Sequence, residues 1–337
     1  MQQMKAVRIA QFGEADQLQV METPLPEPGP GEVLVKLAYS GVNFIDVYMR
    51  KGVYARSHTY ETPLPLTVGM EGGGHVVAVG EQVKGFAVGE RVAYCLGRGS
   101  YAEFAAVPAW KLVPVPKDVP LSVATALMLQ GCTAHYLASS AFVLAEGQTC
   151  LVHAGAGGVG QLLVQLAKLR GARVIATVGS AEKAAIATRC GADACILYRE
   201  TDFRDEVLRL TGGKGVDVVY DSVGKDTIER SIRCLRRRGV CILYGASSGA
   251  VNAITPLELA EAGSVFFTRP HLADYIASSE EIRQRCGELF AFWSAGRLRA
   301  TIDREFPLAE AAQAHRLLEG RGTRGKLLLR VAEEAKA

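Results

Sequence analysis

The sequence of 337 residues predicts an α/β fold, with a doubly wound parallel sheet and a second, mostly β domain built like a barrel. Three observations support this prediction. Short apolar segments alternate with helical segments from residue 149 to residue 267, and a glycine-rich turn joins the first of these strands to its helix. Short strands separated by Pro and Gly fill the N-terminal third. The chain is also longer than one hydrophobic core usually serves, so two domains are expected.

The N-terminal region, from about Lys5 to Pro116, resembles a small β domain in its sequence pattern. Its strand-like runs are short, and turn clusters such as Pro28-Gly29-Pro30-Gly31 separate them. The clearest predicted strands cover residues 33–37, 75–79 and 91–94. Many short strands with frequent turn signals are typical of a barrel-like domain.

The sequence changes character near Leu121, where a helical stretch over residues 124–144 leads into alternating strands and helices. Six strands are predicted over residues 149–153, 173–177, 194–198, 216–220, 239–244 and 264–267. The helices between them are predicted over residues 159–169, 181–190, 203–210, 226–235 and 256–262. This order fits one doubly wound parallel sheet, whose sixth strand lies at an edge.

The last part of the chain, after Arg269, returns to a helix at residues 279–294 and a strand at residues 326–331. This part is too short to fold alone, so we expect it to complete the N-terminal domain. The predicted domains are residues 1–125 with 270–337, and residues 126–269.

The glycine-rich turn is the most informative local motif. Residues 154–160 read Ala-Gly-Ala-Gly-Gly-Val-Gly, and Gly155, Gly157 and Gly160 match G-x-G-x-x-G between a strand and a helix. Such glycines allow a tight turn, a close backbone approach to a pyrophosphate and close packing of helix on strand. The helix N-terminus adds free N–H groups and a positive dipole end. The motif therefore predicts dinucleotide binding at the carboxyl ends of the strands.

The residues after the second predicted strand favour NADPH over NADH. A site for NAD usually carries Asp or Glu roughly 20 residues past the glycines, where it binds the ribose 2′-hydroxyl. Residues 177–181 contain no acid, whereas Ser180 and Lys183 could hold a 2′-phosphate. Two alternatives stay open, because Lys183 could be an ordinary solvated lysine and Glu182 could turn inward.

Composition and charge exclude several other classes of protein. The formal net charge is +3, and the densest basic stretch, Arg236-Arg237-Arg238, is expected to be a basic helix end and not a nucleic-acid footprint. The eight cysteines are scattered without C-x-x-C, which argues against a disulfide framework or a zinc knuckle. No signal-peptide pattern or run of about 18 apolar residues is found, so no membrane contact and a cytoplasmic location are expected.

Several further motifs resemble one known family. They are Gly-Val-Asn-Phe-Ile-Asp-Val-Tyr at 41–48, Gly-Val-Tyr at 52–54, the glycine turn, and residues 177–180, 219–224, 238–239, 245–249 and 268–270. Over essentially the whole chain the sequence resembles the quinone oxidoreductases of ζ-crystallin type, within the medium-chain dehydrogenase/reductase superfamily. The bacterial NADPH:quinone reductases are the nearest group. The resemblance implies a Rossmann domain that binds NADPH, a GroES-like catalytic domain, a quinone substrate and a homodimer.

The same resemblance bears on zinc. Zinc-dependent alcohol dehydrogenases of this superfamily carry Cys where this chain has Asn43, and His where it has Met70. Asn and Met are poor zinc ligands. Of the cysteines of their structural zinc lobe only Cys95 stands in the corresponding region, and His75 fits a strand position better than a ligand. The prediction is a protein without a metal site.

A hydride acceptor that is not polarised by a metal must be electrophilic by itself. Quinones meet this condition, and so do activated enones, so an NADPH-dependent enone or alkenal reductase is the alternative enzyme. A different class, an RNA-binding protein like some ζ-crystallin relatives, is disfavoured by the small net charge.

The resemblance also implies the site residues. The expected catalytic residues are Asn43, Tyr48 and Tyr54; an alternative for the two tyrosines is that they only pack the domain. The expected cofactor-binding residues are Phe44, Asp46, Thr133, Gly155, Gly157, Gly158, Val159, Gly160, Ser180, Lys183, Tyr198, Ser222, Tyr244, Gly245, Ala246, Ser247, Phe267, Thr268, Arg269 and Arg321.

Overall fold

The structure is a computed structural model that describes residues 2–332. The described chain divides into two compact units. The first contains the residues up to Cys132 and those from Ile276 onward, and the second is Thr133–Tyr275. Within residues 2–332, no helix combines the length and the apolar character needed to cross a lipid bilayer.

The elements run as follows in chain order. The N-terminal part contains β1 (Gln3–Ile9), β2 (Gln19–Pro24), β3 (Glu32–Val42), α1 (Phe44–Arg50), β4 (Leu66–Thr67), β5 (Glu71–Val79), β6 (Arg91–Cys95), β7 (Phe104–Pro108), β8 (Val113–Pro114) and α2 (Leu121–Tyr136). The middle part contains β9 (Thr149–Val152), α3 (Gly158–Leu169), β10 (Arg173–Val178), α4 (Ala181–Arg189), β11 (Ala194–Leu197), α5 (Phe203–Leu210), β12 (Val216–Asp221), α6 (Ile228–Ile232), β13 (Leu235–Leu243), α7 (Pro256–Glu261) and β14 (Phe266–Thr268). The C-terminal part contains α8 (Ser279–Ser294), β15 (Ile302–Pro307), α9 (Ala311–Glu319) and β16 (Lys326–Arg330).

The first unit is organised around the long strand β3. The first half of β3 pairs with β7 and its last residues pair with β16, while β5 pairs along its other edge. The seven-stranded sheet continues as β15-β16-β3-β5-β6-β8, and a three-stranded sheet β2-β1-β4 accompanies it. Val33, Val35 and Leu37 alternate toward a buried core, as the period of two in a strand requires. The predicted mostly β domain is confirmed.

The second unit is a parallel sheet with the strand order β11-β10-β9-β12-β13-β14. All of its pairs are parallel, as the alternation of strands and helices predicts. Cys150, Leu151 and Val152 of the central strand β9 have no exposed surface, because helices cover both faces of such a sheet. The six predicted strands and the edge position of the last one are confirmed.

Two local predictions in this unit need correction. The helix predicted over residues 226–235 ends at Ile232, because Leu235 pairs with Val216 and begins strand β13. Residues 236–238 are therefore part of β13 and not a basic helix end, and Arg236 Nε donates to Asp217 Oδ1 at 2.6 Å. The predicted helix over residues 124–144 is α2 followed by a wider helical turn at Leu137–Ala141.

Candidate functional site

The glycine turn of the second unit has no room for side chains. A Cβ atom on Gly155 would lie 2.7 Å from the Cβ of Ala176 in β10, and one on Gly160 would lie 2.9 Å from the Cα of Gly155. The left-handed backbone conformation of the turn belongs to Ala154, whose φ is 52°. The glycines therefore serve close packing, while a non-glycine residue makes the sharp turn. The turn leads directly into the N-terminus of α3, where Gly158, Val159 and Gly160 present the unsatisfied N–H groups of a first helical turn.

A buried polar network lies at the carboxyl ends of three neighbouring strands in this unit. His153, which follows β9, places Nδ1 2.8 Å from Thr177 Oγ1 and Nε2 2.9 Å from Ser231 Oγ. Ser231 donates to Asp221 Oδ2 at 2.7 Å, and Asp221 Oδ1 accepts from the backbone N–H groups of Val223 and Gly224. Burial lowers the pKa of His153. The network connects the residue before the glycine turn to the loop that begins at Ser222.

Ser180, Lys183 and Tyr198 lie together after strands β10 and β11. Ser180 is the N-cap of α4, and its hydroxyl oxygen accepts from the backbone N–H of Lys183 at 3.3 Å. Tyr198 is 41% exposed, and its hydroxyl lies so near Gly179 that a Cβ there would be 2.9 Å away. Glu182 is exposed at the first turn of α4. This corner therefore offers a hydroxyl, an ammonium and a phenol, with no carboxylate in residues 177–181.

The residues after β12 and β13 form a second loop pair. The backbone N–H of Tyr244 donates to Asp221 O at 2.8 Å, and that of Ser247 donates to Ser222 O at 3.2 Å. A Cβ on Gly245 would lie 2.5 Å from Ser222 O, so this approach requires glycine. Ser222, Tyr244, Gly245, Ala246 and Ser247 are thereby brought together.

The remaining predicted cofactor residues lie on other elements of the structure. Phe267 and Thr268 belong to β14 and pair with Cys241 and Ile242 of β13, and the exposed Arg269 follows them. Thr133 lies in α2 and is 8% exposed. Arg321 belongs to the first unit, in the turn between α9 and β16, with a left-handed φ of 55°.

In the first unit, aromatic rings form a row beside Asn43, which is the N-cap of α1. The ring centroids of Phe44 and Tyr48 are 6.0 Å apart, those of Tyr48 and Tyr54 are 6.0 Å apart, and those of Tyr54 and Tyr60 are 5.0 Å apart. The Tyr48 and Tyr54 rings meet edge to face, and both are half-buried. Of the three predicted catalytic residues, Asn43 therefore lies at the start of α1, Tyr48 lies on α1, and Tyr54 lies in the loop after it, with its ring against that of Tyr48.

Asn43 is 3% exposed, and charged residues surround its side chain. Its Nδ2 donates to Glu71 Oε2 at 2.8 Å, and its Oδ1 accepts from Lys326 Nζ at 2.7 Å. Lys326 and Glu71 also form a buried ion pair. Sequence reasoning missed both ion-pair partners. Glu71 directly follows Met70, and Lys326 directly precedes three leucines in β16. A charged residue next to such an apolar run was the available signal.

Asp46, expected at the cofactor, is fully buried. Its Oδ2 accepts from the backbone N–H of Asn43 at 2.8 Å and from the Tyr101 hydroxyl at 3.3 Å. Tyr101 in turn lies 3.0 Å from His315 Nε2. Burial raises the pKa of Asp46 to about 7 and lowers the pKa of His315 to about 3. Asp46 therefore holds the start of α1, and in this structure its carboxyl contacts protein groups.

Comparison with known protein families identifies the class of protein to which the chain belongs. The family described as alcohol dehydrogenase GroES-like domain matches residues 29–117, and the family described as zinc-binding dehydrogenase matches residues 158–291. Among residues 2–332, no group of three or more His, Cys, Asp or Glu side chains could hold a metal ion. The fold and the site thus define a medium-chain dehydrogenase/reductase.

Individual relatives narrow this class. The quinone oxidoreductase of Pseudomonas aeruginosa is 41% identical over 96% of this chain and 99% of its own length. A 2-haloacrylate reductase from a Burkholderia species is 42% identical over 96% of this chain and 98% of its own length. The crystal structure of Escherichia coli quinone oxidoreductase with NADPH has a TM-score of 0.93 at 38% identity, covering 97% of this chain and all of that one. The chain belongs to the zinc-free quinone oxidoreductase family of the medium-chain dehydrogenase/reductases.

Proposed function

We propose that this protein reduces a quinone by hydride transfer from NADPH. The observation that carries the proposal is the row of half-buried aromatic rings on α1 and the loop after it, with Asn43 at the start of the same helix. A flat acceptor with carbonyl oxygens needs stacking surfaces and a hydrogen-bond donor. The similarity to quinone oxidoreductases over nearly the whole chain supports the same chemistry.

The second unit fits NADPH. The glycine turn packs closely against β10 and leads directly into the N-terminus of α3, whose unsatisfied N–H groups can bind a pyrophosphate. We propose that Gly158, Val159 and Gly160 bind it, and that Ser180, Lys183 and Tyr198 bind the 2′-phosphate and adenine. The other proposed contacts are Phe44, Thr133, Gly155, Gly157, Ser222, Tyr244, Gly245, Ala246, Ser247, Phe267, Thr268, Arg269 and Arg321. We assign Asp46 to holding Asn43 instead of direct contact with the cofactor, since it is fully buried.

When bound, NADPH supplies the hydride. The protein residues orient the acceptor and exclude water. Asn43 donates a hydrogen bond to an acceptor oxygen, and Tyr48 and Tyr54 stack on its ring or donate a second bond. The anion that forms when the hydride is transferred takes one proton from water. We accordingly propose residues 1–125 with 270–337 as the substrate domain and residues 126–269 as the cofactor domain.

A second candidate is reduction of an activated alkene. It is favoured by the 42% identity to a 2-haloacrylate reductase, whose named substrate is such an alkene. Initial rates with 1,4-benzoquinone, a naphthoquinone, a simple enal and 2-chloroacrylate, each with NADPH and with NADH, decide between the two. We expect the highest kcat/KM for a quinone with NADPH. A preference of more than tenfold for 2-chloroacrylate would select the alternative.

We further propose a homodimer formed through β14. This strand ends the six-stranded sheet, and Phe266 on it is 62% exposed. An exposed apolar edge strand is commonly covered by a second copy. Light scattering of the wild type and of Phe266→Lys tests this: we expect a dimer that the substitution dissociates. A monomeric wild type would disprove it.

We propose a reducing, cytoplasmic location because all eight cysteines remain thiols.

A further inference from the structure

A buried lysine, Lys326, contacts the Asn43 amide. Lys326 begins β16, is 2% exposed, and contacts both Asn43 Oδ1 and Glu71. Glu71 begins β5 and has no exposed surface. Moving two charges out of water has a large free-energy cost, which only excellent geometry offsets. A contribution to stability therefore does not by itself explain this buried pair.

The surrounding chain is built to hold this pair. A Cβ on Gly41, in the strand between β5 and β16, would lie 2.6 Å from Glu71 Cδ and 2.8 Å from Lys326 Nζ. The second carboxylate oxygen of Glu71 accepts from the backbone N–H of Leu129 at 2.5 Å. The Asn43 backbone is held by Asp46. Contacts with the surrounding chain therefore restrain Asn43, Glu71 and Lys326.

These contacts also set the orientation of the Asn43 amide. Its oxygen faces an ammonium and its nitrogen faces a carboxylate, and a flipped amide would place like against like. An amide has two N–H groups, one of which donates to Glu71. Since the oxygen is occupied by Lys326, the group that Asn43 can offer to an acceptor is its second N–H.

We propose that Lys326 is a positioning residue that polarises the Asn43 amide, so that its second N–H stabilises the oxygen that gains charge during hydride transfer. A cation on the amide oxygen draws electron density from the nitrogen and strengthens the N–H as a donor. The inference rests on the proposed function, because it requires Asn43 to contact the acceptor. Reduction adds one hydride from NADPH to the quinone and leaves NADP⁺. The resulting hydroquinone monoanion then takes one proton from water.

The test compares Lys326→Met, Lys326→Arg, Asn43→Ala and the double variant Lys326→Met/Asn43→Ala with the wild type. Lys168→Met, which removes a surface lysine paired with Asp193, is the matched control. The measurements are kcat and KM for 1,4-benzoquinone, the NADPH dissociation constant from fluorescence, and the rate ratio with NADPH deuterated at the transferred position. A circular dichroism spectrum and a thermal unfolding midpoint like those of the wild type show that each variant is folded, including the first unit, which contains Asn43 and Lys326.

We expect Lys326→Met to lower kcat about 10- to 100-fold. Losses of this order are found when a group that hydrogen-bonds to and orients a functional side chain is removed. Its NADPH affinity should stay within about twofold, and its deuterium effect should rise because hydride transfer becomes slower. Lys326→Arg should recover part of kcat, and in the Asn43→Ala background Lys326→Met should have almost no further effect. Multiplicative losses in the double variant, or equal losses of kcat and NADPH affinity, would overturn the inference. A wild type that binds NADPH but reduces no quinone would overturn the proposed function instead.

Discussion

The variant Asp46→Asn tests how ionisation of a buried carboxyl group affects stability, because it removes the titratable group and keeps the shape of the side chain. Asp46 is fully buried, and burial raises its pKa from 3.8 to about 7 in the folded protein. Between these two values the folded chain retains a proton that the unfolded chain has released. Stability therefore falls as pH rises from about 4 to about 7, and it is constant above that range for this group. At about 1.4 kcal/mol per pKa unit, a shift of about 3 units corresponds to about 4 kcal/mol.

Asparagine has almost the same shape and cannot ionise, and its oxygen can still accept from the Asn43 N–H. We therefore expect Asp46→Asn to gain stability relative to the wild type as pH rises, by about 4 kcal/mol in total between pH 4 and pH 8. Urea unfolding at several pH values, followed by tryptophan fluorescence, measures this difference. The lowered pKa of His315 affects both proteins alike and cancels.

Asp193→Asn provides the control of opposite sign. Burial raises the pKa of Asp193, but hydrogen bonds from Lys168 and from the Val174 backbone outweigh it, so the pKa is lowered. Its contribution to stability is present above the unfolded pKa of 3.8 and is lost as pH falls below about 4. This variant should therefore lose stability relative to the wild type as pH rises through that acid range, and the difference should stay constant above it. If Asp46→Asn differs from the wild type by the same amount at every pH, Asp46 holds no proton at neutral pH and the reasoning is refuted.

Three further outcomes are expected. Lys183→Ala should raise KM for NADPH about 10- to 100-fold and leave KM for NADH nearly unchanged, because only NADPH has a 2′-phosphate for the ammonium to bind; equal effects in steady-state assays would make Lys183 structural. Tyr54→Phe should lower quinone turnover severalfold with no change in NADPH affinity, and an unchanged kcat would reduce Tyr54 to packing. Gly155→Val should weaken NADPH binding and lower stability by about 1–3 kcal/mol, because its Cβ would lie 2.7 Å from Ala176; calorimetric binding at wild-type affinity would contradict the assigned role.

The predictable part of the fold is the part that local sequence encodes. The alternation after residue 149 predicted six strands and their helices, because buried parallel strands and amphipathic helices have different hydrophobic periods. Leu235 shows where this reasoning ends. Its segment has the pattern of a helix, yet pairing with Val216 in the sheet places it in β13. Tertiary hydrogen bonds outweighed the local preference there.

The sequence by itself determined the nucleotide turn, the absence of an acid from residues 177–181 and the replacement of zinc ligands by Asn43 and Met70, since each depends on residue types at short spacing. Only the tertiary structure decided what stands behind Asn43. Glu71 and Lys326 lie far from it in sequence, and they meet because β3 pairs with β5 on one side and with β16 on the other. No spacing along the chain encodes that contact. The buried pair became visible only when strand register placed two opposite charges against one amide.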